Sequence, residues 1–270
     1  MPELPEVETI RRSLSPRILG ARIGDVEVRE RRLRRRVQPD LEARLRGRSF
    51  RGIERRGKYL LFDLDDGQCV LLHLGMSGSL EIRPDARAVE PHDHVRVFLD
   101  GGAALVFNDP RRFGLLRVGT RRELRELDNL GPDPLTDGWS VAQLRALVRG
   151  RRRSIKNVLM DQRLVGGIGN IYANEILYQA AIRPTRRAGR LRRRELDALV
   201  KATSAVLNRA VRFGGSSISD YVDAEGRPGN FQHHFAVYDR HGEPCRECSA
   251  PIRRIVLGGR ASFYCPRCQR

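Results

Sequence analysis

Four cysteines near the end of the chain constrain its fold most strongly. They form two Cys-x2-Cys pairs with sixteen residues between them, Cys245 with Cys248 and Cys265 with Cys268. This spacing is typical of a tetrahedral zinc site in which each pair supplies two thiolates. The segment 252–264 between the pairs predicts a β-hairpin that turns at a Gly-Gly pair. Because four protein ligands leave no open position, the sequence predicts one structural Zn²⁺.

Two interpretations of this zinc hairpin stay open. In one, the metal holds the hairpin rigid so that Arg260 or a neighbouring arginine meets a nucleic acid. In the other, the metal only stabilises the end of the chain. The cysteine spacing does not decide between them.

The first half of the chain has the pattern of a β-sandwich or barrel. A helix comes first, with Val7, Ile10, Leu14 and Ile18 at helical spacing, and Pro16 is expected to kink or end it. Residues 22–118 then alternate short apolar runs with Asp-Gly turns, which predicts about eight strands. Cys69 falls in one of these runs and is most simply a core thiol.

The second half has the pattern of a helical domain. A segment rich in Pro, Gly and Asp at 131–138 predicts the linker between domains. Helices are expected at 141–148, 154–160, 170–179 and 195–212. Residues 214–234 carry few apolar side chains and predict a mobile loop.

Charge narrows the function class. The chain has 51 Lys and Arg against 33 Asp and Glu, a net charge of +18, and the arginines cluster in runs at 31–36, 151–153 and 186–194. Such an excess favours a nucleic acid over an acidic small molecule. No apolar run approaches the about 18 residues of a membrane span. We therefore expect a cytoplasmic, nucleoid-associated protein, in which cysteines bind metal rather than form disulfides. A monomer is the default expectation because no oligomerisation signature is present.

The amino terminus is a candidate nucleophile. Removal of Met1 leaves the secondary amine of Pro2, with carboxylates at Glu3 and Glu6 to move protons. A terminal amine has a pKa near ~8, so a useful fraction is unprotonated at neutral pH. The alternative interpretation is an ordinary helix start, with proline and acidic residues in the first turn. Taken alone, this segment favours that alternative.

Three loops carry residues suited to DNA. The glycines of 166–169 precede Asn170, which is expected to cap a helix whose N-terminus offers exposed N–H groups to a phosphate. Met76 lies between two glycines after His73, and Arg111 and Phe113 follow Asn-Asp-Pro. Side chains of this kind fill the gap that an extruded base leaves. For each loop alone, the alternative is a tight turn or a hairpin tip that packs on a neighbour.

Two further residues are less constrained. Lys58 begins a predicted strand, where a phosphate contact and a solvated strand edge are equally compatible with the pattern. His92 and His94 flank Asp93, but no third metal ligand accompanies them, so the segment predicts a turn. His92 is included among the candidate DNA contacts.

Taken in order, these motifs resemble one family. PELPEVET, RRGKYLL, HLGMSGSL, NDPRRFG, LVGGIGNIYANEIL and FYCPRC span the chain from end to end. They are similar to the formamidopyrimidine-DNA glycosylases, bacterial enzymes that excise oxidised purines. The resemblance implies an α+β fold of two domains, an N-terminal β-sandwich with flanking helices and a C-terminal helix-two-turn-helix domain with a β-hairpin zinc finger. It places the catalytic domain at 1–134, the helical domain at 135–230 with a lesion-recognition loop at about 214–234, and the zinc finger at 235–270.

The resemblance also implies roles for residues. Pro2 would form a Schiff base, Glu3 would be the acid and base, and Glu6 would support them. Lys58, His73, Asn170 and Arg260 would hold the phosphates of damaged double-stranded DNA, and Met76, Arg111 and Phe113 would fill the void. The reaction would be base excision followed by β,δ-elimination, with no redox cofactor and no Mg²⁺.

Two alternatives to this function remain. One is an oxidised-pyrimidine or abasic-site lyase of the endonuclease VIII type, which shares the fold but begins PEGPE. The other is a non-catalytic zinc protein that binds DNA.

Overall fold

The computed structural model describes residues 1–85, 88–136, 138–218 and 221–270. The chain divides into two compact units. The first contains residues 1–128 and 213–230, and the second contains residues 129–212 and 231–270. Residue 137 of the predicted linker and residues 219 and 220 of the predicted loop lie outside the described residues.

The first unit is a β-sandwich of two four-stranded antiparallel sheets. One sheet has the order β1-β6-β7-β5 and the other β2-β3-β4-β8. Its elements are α1 Leu4–Ile18, β1 Ile23–Val28, α2 Leu41–Leu45, β2 Phe50–Arg56, β3 Tyr59–Leu64, β4 Cys69–His73, β5 Ser79–Arg83, β6 Asp93–Leu99, β7 Ala104–Asn108 and β8 Leu115–Gly119. Apolar side chains from both sheets and from α1 form one core. The predicted sandwich is confirmed, and Cys69 is fully buried as expected for a core thiol.

Helix α1 is built as its spacing predicts. Val7, Ile10, Leu14 and Ile18 are all buried in the core. Pro16 does not end the helix, which continues to Ile18. A proline in the last turn removes one hydrogen bond only, and the N–H of Leu19 still reaches the carbonyl of Ser15 at 3.3 Å.

Among its described residues, the second unit contains four α-helices and the zinc hairpin. Its elements are α3 Val141–Val148, α4 Ile155–Leu159, α5 Asn170–Gln179, α6 Arg193–Arg212, β9 Arg253–Leu257 and β10 Arg260–Tyr264. The last two strands pair antiparallel around the Gly258-Gly259 turn, as predicted. Helix α6 buries an apolar stripe that includes Leu199, Val206 and Leu207.

The loop after α6 differs from its expected grouping. The sequence grouped residues 214–230 with the helical domain, but they cluster with the sandwich. The reason is local, since the N–H of Ile82 donates to the carbonyl of Ala224 and Ala224 lies in the sandwich core. Within the described residues, no helix is both long and apolar enough to span a membrane.

Candidate active site and nucleic-acid interface

The amino terminus of the first unit lies among charged groups. Glu3, Glu6, Lys58 and Arg111 all act electrostatically on the terminal amine, which is that of Met1. Burial lowers the pKa of this amine, the two carboxylates raise it, and the two cations lower it. The resulting pKa lies below the ordinary value of 8.0. The structure thus gathers four of the predicted site residues around the end of the chain.

Glu6 connects helix α1 to the loop that follows α6. One oxygen, Oε2, accepts the N–H of Glu3 at 2.8 Å, and Oε1 accepts the N–H of Ser216 at 2.8 Å. Gly215 has φ of +79°, and a Cβ there would meet the Glu6 side chain at 2.9 Å. A glycine is therefore required beside Glu6. The Glu6 carboxylate is thereby held between the start of α1 and the loop that follows α6.

Lys58 lies in the turn between β2 and β3 and is buried. The interpretation of Lys58 as part of a solvated strand edge is therefore wrong. Arg55 shapes this turn, because its guanidinium donates to the carbonyl of Gly57 at 3.0 Å and to Glu8 of α1 at 3.1 Å. Burial acts to raise the pKa of Glu8, but hydrogen bonds from Arg11 and Arg12 and the charge of Arg55 outweigh it and lower the pKa to about 2. A permanent ion pair thus fixes the lysine turn to the first helix.

His73 is the last residue of β4, and the centroids of its ring and the Tyr59 ring are 4.8 Å apart. Its Nδ1 accepts the N–H of Gly75 at 2.9 Å. Burial, together with the charges of Lys58 and Arg34, lowers the pKa of His73 to about 4. The ring is therefore neutral at pH 7 with its proton on Nε2, which makes it a donor suited to a phosphate oxygen.

The loops that carry Met76, Arg111 and Phe113 touch one another. A Cβ at Gly75, whose φ is +71°, would lie 2.5 Å from the carbonyl carbon of Phe113. Met76 and Phe113 are 38% and 44% exposed, so neither is a core residue. The guanidinium of Arg111 lies 4.9 Å from the Phe113 ring centroid, a cation–π distance. The structure thus brings the three predicted void-filling residues to one place.

Asp109 organises these loops and was not singled out from the sequence. Its carboxylate is fully buried and accepts the Ser77 hydroxyl at 2.8 Å and the N–H of Gly114 at 2.7 Å. It thereby ties the Met76 loop to the Phe113 loop. The available signal was its position before proline, where a short acidic side chain caps a turn.

The backbone of His92 contacts the Asp109 loop. Its carbonyl accepts the N–H of Asp109 at 3.1 Å, and its own φ is +69°. The side chain is exposed, and its contact with DNA stays a prediction. Among the described residues, the one cluster able to hold a metal is that of the four cysteines.

In the second unit, the glycine turn before α5 differs in detail from its prediction. Gly169, not Asn170, is the N-cap. The N–H of Gly166 donates to the carbonyl of Pro132 and that of Gly167 to Gln162, so these two groups are used within the protein and are not offered to a ligand. The close packing of the turn explains the difference, because Gly166 and Gly167 are buried.

Lys156 explains what Asn170 does instead of capping. Its side chain is 0% exposed, and its Nζ donates to Asn170 Oδ1 at 2.6 Å, to the carbonyl of Ala261 at 2.7 Å and to Ser262 Oγ at 2.6 Å. Three hydrogens thus meet three acceptors. The ammonium links the glycine turn to strand β10, which begins at Arg260. Two predicted phosphate contacts, Asn170 and Arg260, are held in one framework by a residue that the sequence analysis missed.

The four cysteines fit a zinc ion. Their sulfur atoms all lie within 4.8 Å of one another, with Cys245 to Cys268 at 3.9 Å and Cys248 to Cys265 at 3.5 Å. A tetrahedron with Zn–S bonds of about 2.3 Å has edges of about 3.8 Å. The Tyr178 hydroxyl lies 3.2 Å from Cys245 Sγ, where it can donate to a thiolate. The residues therefore suit one closed, structural zinc site.

This fold and these clusters define a DNA-processing enzyme with a zinc finger. Family models match along the chain. The formamidopyrimidine-DNA glycosylase N-terminal domain matches residues 1–116, its H2TH domain matches residues 130–222, and the zinc finger found in FPG and IleRS matches residues 242–270. The chain belongs to the formamidopyrimidine-DNA glycosylase family.

Individual relatives agree with the family models. The chain is 48% identical to the formamidopyrimidine-DNA glycosylase of Syntrophotalea carbinolica, over the whole of both chains. It resembles the crystal structure of MutM (Fpg) from Thermus thermophilus, with a TM-score of 0.89, 41% identity and coverage of 99% and 98%. Against Lactococcus lactis Fpg in complex with DNA containing an abasic site, the TM-score is 0.91 at 34% identity, covering 99% of each chain. The chain is therefore a DNA glycosylase of base excision repair with AP lyase activity, and the predicted fold class and structural zinc are confirmed.

Proposed function

We propose that this glycosylase excises oxidised purines, 8-oxoguanine and formamidopyrimidines, from damaged duplex DNA, and that Pro2 is its nucleophile. The observation that carries the proposal is the gathering of Glu3, Glu6, Lys58 and Arg111 around the amino terminus. An amine of this kind, with a carboxylate beside it, supports covalent catalysis through a Schiff base.

The bonds change as follows. After Met1 is removed, the Pro2 nitrogen bonds to C1′ of the damaged nucleotide, and the base leaves with the electron pair of the glycosidic bond. The amine proton passes to the departing base. Glu3 donates a proton to the ring oxygen as the sugar opens, which leaves an iminium at C1′. The iminium withdraws electrons while the C2′ proton passes to the Glu3 carboxylate and the 3′ phosphate leaves. A second elimination releases the 5′ phosphate, and water hydrolyses the iminium.

Phosphate contacts hold the damaged strand. Lys58 and the neutral His73 are assigned to phosphates next to the extruded nucleotide, and His73 donates from Nε2. Asn170 and Arg260 are assigned to phosphates from the second unit. Since Lys156 occupies the oxygen of the Asn170 amide, the amide nitrogen of Asn170 is the group left to donate outward. Such contacts offset the few kcal/mol that base flipping costs.

Met76, Arg111 and Phe113 are assigned to the void that the flipped base leaves. Met76 and Phe113 are exposed apolar side chains at loop tips, suited to insertion between bases. Arg111 offers only donors, which suits the acceptors O2 and N3 of an orphaned cytosine. His92 is assigned a peripheral DNA contact.

The loop at 214–234 is assigned to recognition of the lesion. Its first residues are fixed to Glu6 through Ser216, and the Tyr221 hydroxyl donates to the carbonyl of Glu6 at 3.2 Å. The loop therefore begins beside the proposed catalytic carboxylates. Zinc held by the four cysteines would keep the Arg260 hairpin folded, and no bond change involves it.

A panel of duplexes tests the substrate class. Oligonucleotides carrying 8-oxoguanine, formamidopyrimidine or thymine glycol are compared under single turnover. We expect excision of the first two to exceed that of thymine glycol. Excision of thymine glycol alone would favour the endonuclease VIII type of lyase, and binding without excision of any of the three would favour a non-catalytic DNA-binding protein.

We further propose a cytoplasmic monomer associated with the nucleoid. The proposal rests on the absence of any oligomerisation signature in the sequence and on its net charge of +18. Sedimentation of the zinc-loaded protein should give the mass of one chain of 30.7 kDa. A stable dimer at micromolar concentration would contradict the monomer.

A further inference from the structure

Two arginine runs that the proposed site does not use lie side by side in the second unit. Residues 149–153 and 186–194 are separated along the chain, but Ser154 and Arg187 form an antiparallel bridge. The N–H of Ala188 donates to the carbonyl of Arg153 at 3.0 Å, and that of Gly189 to the carbonyl of Arg151 at 2.9 Å. We call these two segments the arginine ridge. Its two halves touch because Gly189 has no Cβ, which would lie 2.9 Å from the Arg151 oxygen.

The arginine ridge carries ten arginines and no acidic residue of its own. Three of the ten have a carboxylate partner from outside the ridge: Arg153 with Asp161, Arg186 with Glu195 and Arg193 with Asp197. Among the described residues, no carboxylate lies within 4.0 Å of the guanidinium groups of the other seven, Arg149, Arg151, Arg152, Arg187, Arg190, Arg192 and Arg194. Most of these side chains are exposed.

This arrangement differs from the rest of the protein. In the first unit most described arginines have a carboxylate partner, as Arg121 has Glu54 and Asp63. An arginine-rich composition alone would leave both units similarly paired. Like charges on paired segments repel and destabilise the pairing. A polyanion that neutralises the ridge removes that repulsion.

Two crevices are lined in part by residues of the ridge. One, of about 570 Å³, is lined by Arg145, Arg149 and Arg193 with small apolar residues of α3 and no carboxylate. The other, of about 410 Å³, is lined by Arg186, Arg192, Arg194 and Arg270, and Glu195 is its one acidic residue. Guanidinium groups around an open crevice match phosphate oxygens, which they bind through two parallel hydrogen bonds.

We propose that the arginine ridge is a second DNA-binding surface, which holds the phosphate backbone of undamaged duplex without reading its sequence. This inference rests on the proposed function only in that both assume a DNA substrate, and it uses none of the residues assigned above. A surface of this kind raises the affinity for any duplex and lets the protein stay bound while it searches for a lesion.

The test compares two triple variants that remove the same charge. Arg152→Gln, Arg187→Gln and Arg190→Gln together neutralise the ridge. Arg51→Gln, Arg122→Gln and Arg125→Gln form the control, since these arginines of the first unit are also exposed and have no ion pair with any carboxylate in the described part of the chain. Affinity for a long undamaged duplex is measured as a function of salt with the zinc-loaded protein. Zinc content and circular dichroism show that both variants fold.

We expect the ridge variant to lose about 10-fold or more in affinity, and the salt slope to become shallower by about 2 to 3, since each phosphate contact contributes about 0.9. The control should keep the slope of the wild type. Borohydride trapping of the ridge variant on saturating damaged DNA should stay unchanged. Equal slopes in both triples would overturn the proposal. Loss of trapping in the wild type would instead overturn the proposed function and leave this comparison of undamaged binding valid.

Discussion

Substitution of Lys156 by methionine tests how the second unit positions its DNA contacts. Lys156 is fully buried, and its three hydrogens meet Asn170 Oδ1, the carbonyl of Ala261 and Ser262 Oγ at 2.6 to 2.7 Å. Methionine preserves much of the side-chain volume but donates no hydrogen bond. The variant therefore leaves three acceptors without this donor, of which Ser262 Oγ is fully buried and the other two are partly buried.

The magnitude follows from two opposing contributions. Each orphaned acceptor costs about 1–3 kcal/mol. Removal of a buried ammonium returns several kcal/mol of desolvation free energy. We expect a net loss of about 2–4 kcal/mol in the free energy of unfolding of the zinc-loaded protein. Because the Asn170 amide is no longer held, we also expect about a 10-fold loss in affinity for damaged duplex, equivalent to about 1.4 kcal/mol.

The chain offers a matched control and a coupling test. Of its 51 basic residues three are lysines, and Lys201 is an exposed lysine on α6, so Lys201→Met removes the same charge without a buried acceptor. Fluorescence anisotropy gives the affinity, and urea unfolding gives the stability. If Lys156 acts through Asn170, then Lys156→Met and Asn170→Ala should not be additive. Additive losses, or an affinity for Lys156→Met equal to that of Lys201→Met, would refute this account.

Three further predictions concern the loops, the nucleophile and the zinc site. Gly75 has φ of +71°, and an added Cβ would lie 2.5 Å from the carbonyl carbon of Phe113, so Gly75→Ala should cost about 2–4 kcal/mol of stability and most base excision. Gly67 has a similar φ but open space around it, so Gly67→Ala should cost about 1–2 kcal/mol. Equal losses of stability in thermal unfolding would count against the contact between the two loops. Burial lowers the pKa of the Met1 amine. We expect the same surroundings to act on the Pro2 amine once Met1 is removed, so the rate of Schiff base formation should rise with pH and level off below about pH 8; a rate that still rises above that pH would disagree. Cys265→Ser or chelation should abolish DNA binding while circular dichroism shows the sandwich still folded, and retained binding would show that the hairpin is dispensable.

Local pattern predicted the elements of this fold well. Helices α3 and α5 begin and end at the residues that periodicity and turn signals indicate. These elements have an apolar period that agrees with their final burial. The zinc site was equally accessible, because thiolate spacing alone specifies a tetrahedral site.

What the sequence could not supply was contact between distant segments. The burial of Lys58 depends on Arg55 and Glu8, and the meeting of Met76 with Phe113 depends on Gly75 and Asp109. None of these pairings has a periodic signal. Lys156 had a usable clue, since a lysine retained in a chain so rich in arginine indicates a site that needs a compact ammonium rather than a guanidinium. Asn170 was misassigned as a cap because its local pattern is that of a cap, while a buried tertiary partner uses its oxygen.

The most direct measurement is borohydride trapping on duplex that contains 8-oxoguanine, followed by mass spectrometry of the adduct. The account predicts a covalent protein–DNA complex whose cross-linked peptide begins at Pro2, without Met1. Pro2→Gly, which replaces the secondary amine with a primary one, should lose most of the excision activity. An adduct at any lysine, or an active enzyme that retains Met1, would contradict the claim that the amino-terminal proline is the nucleophile.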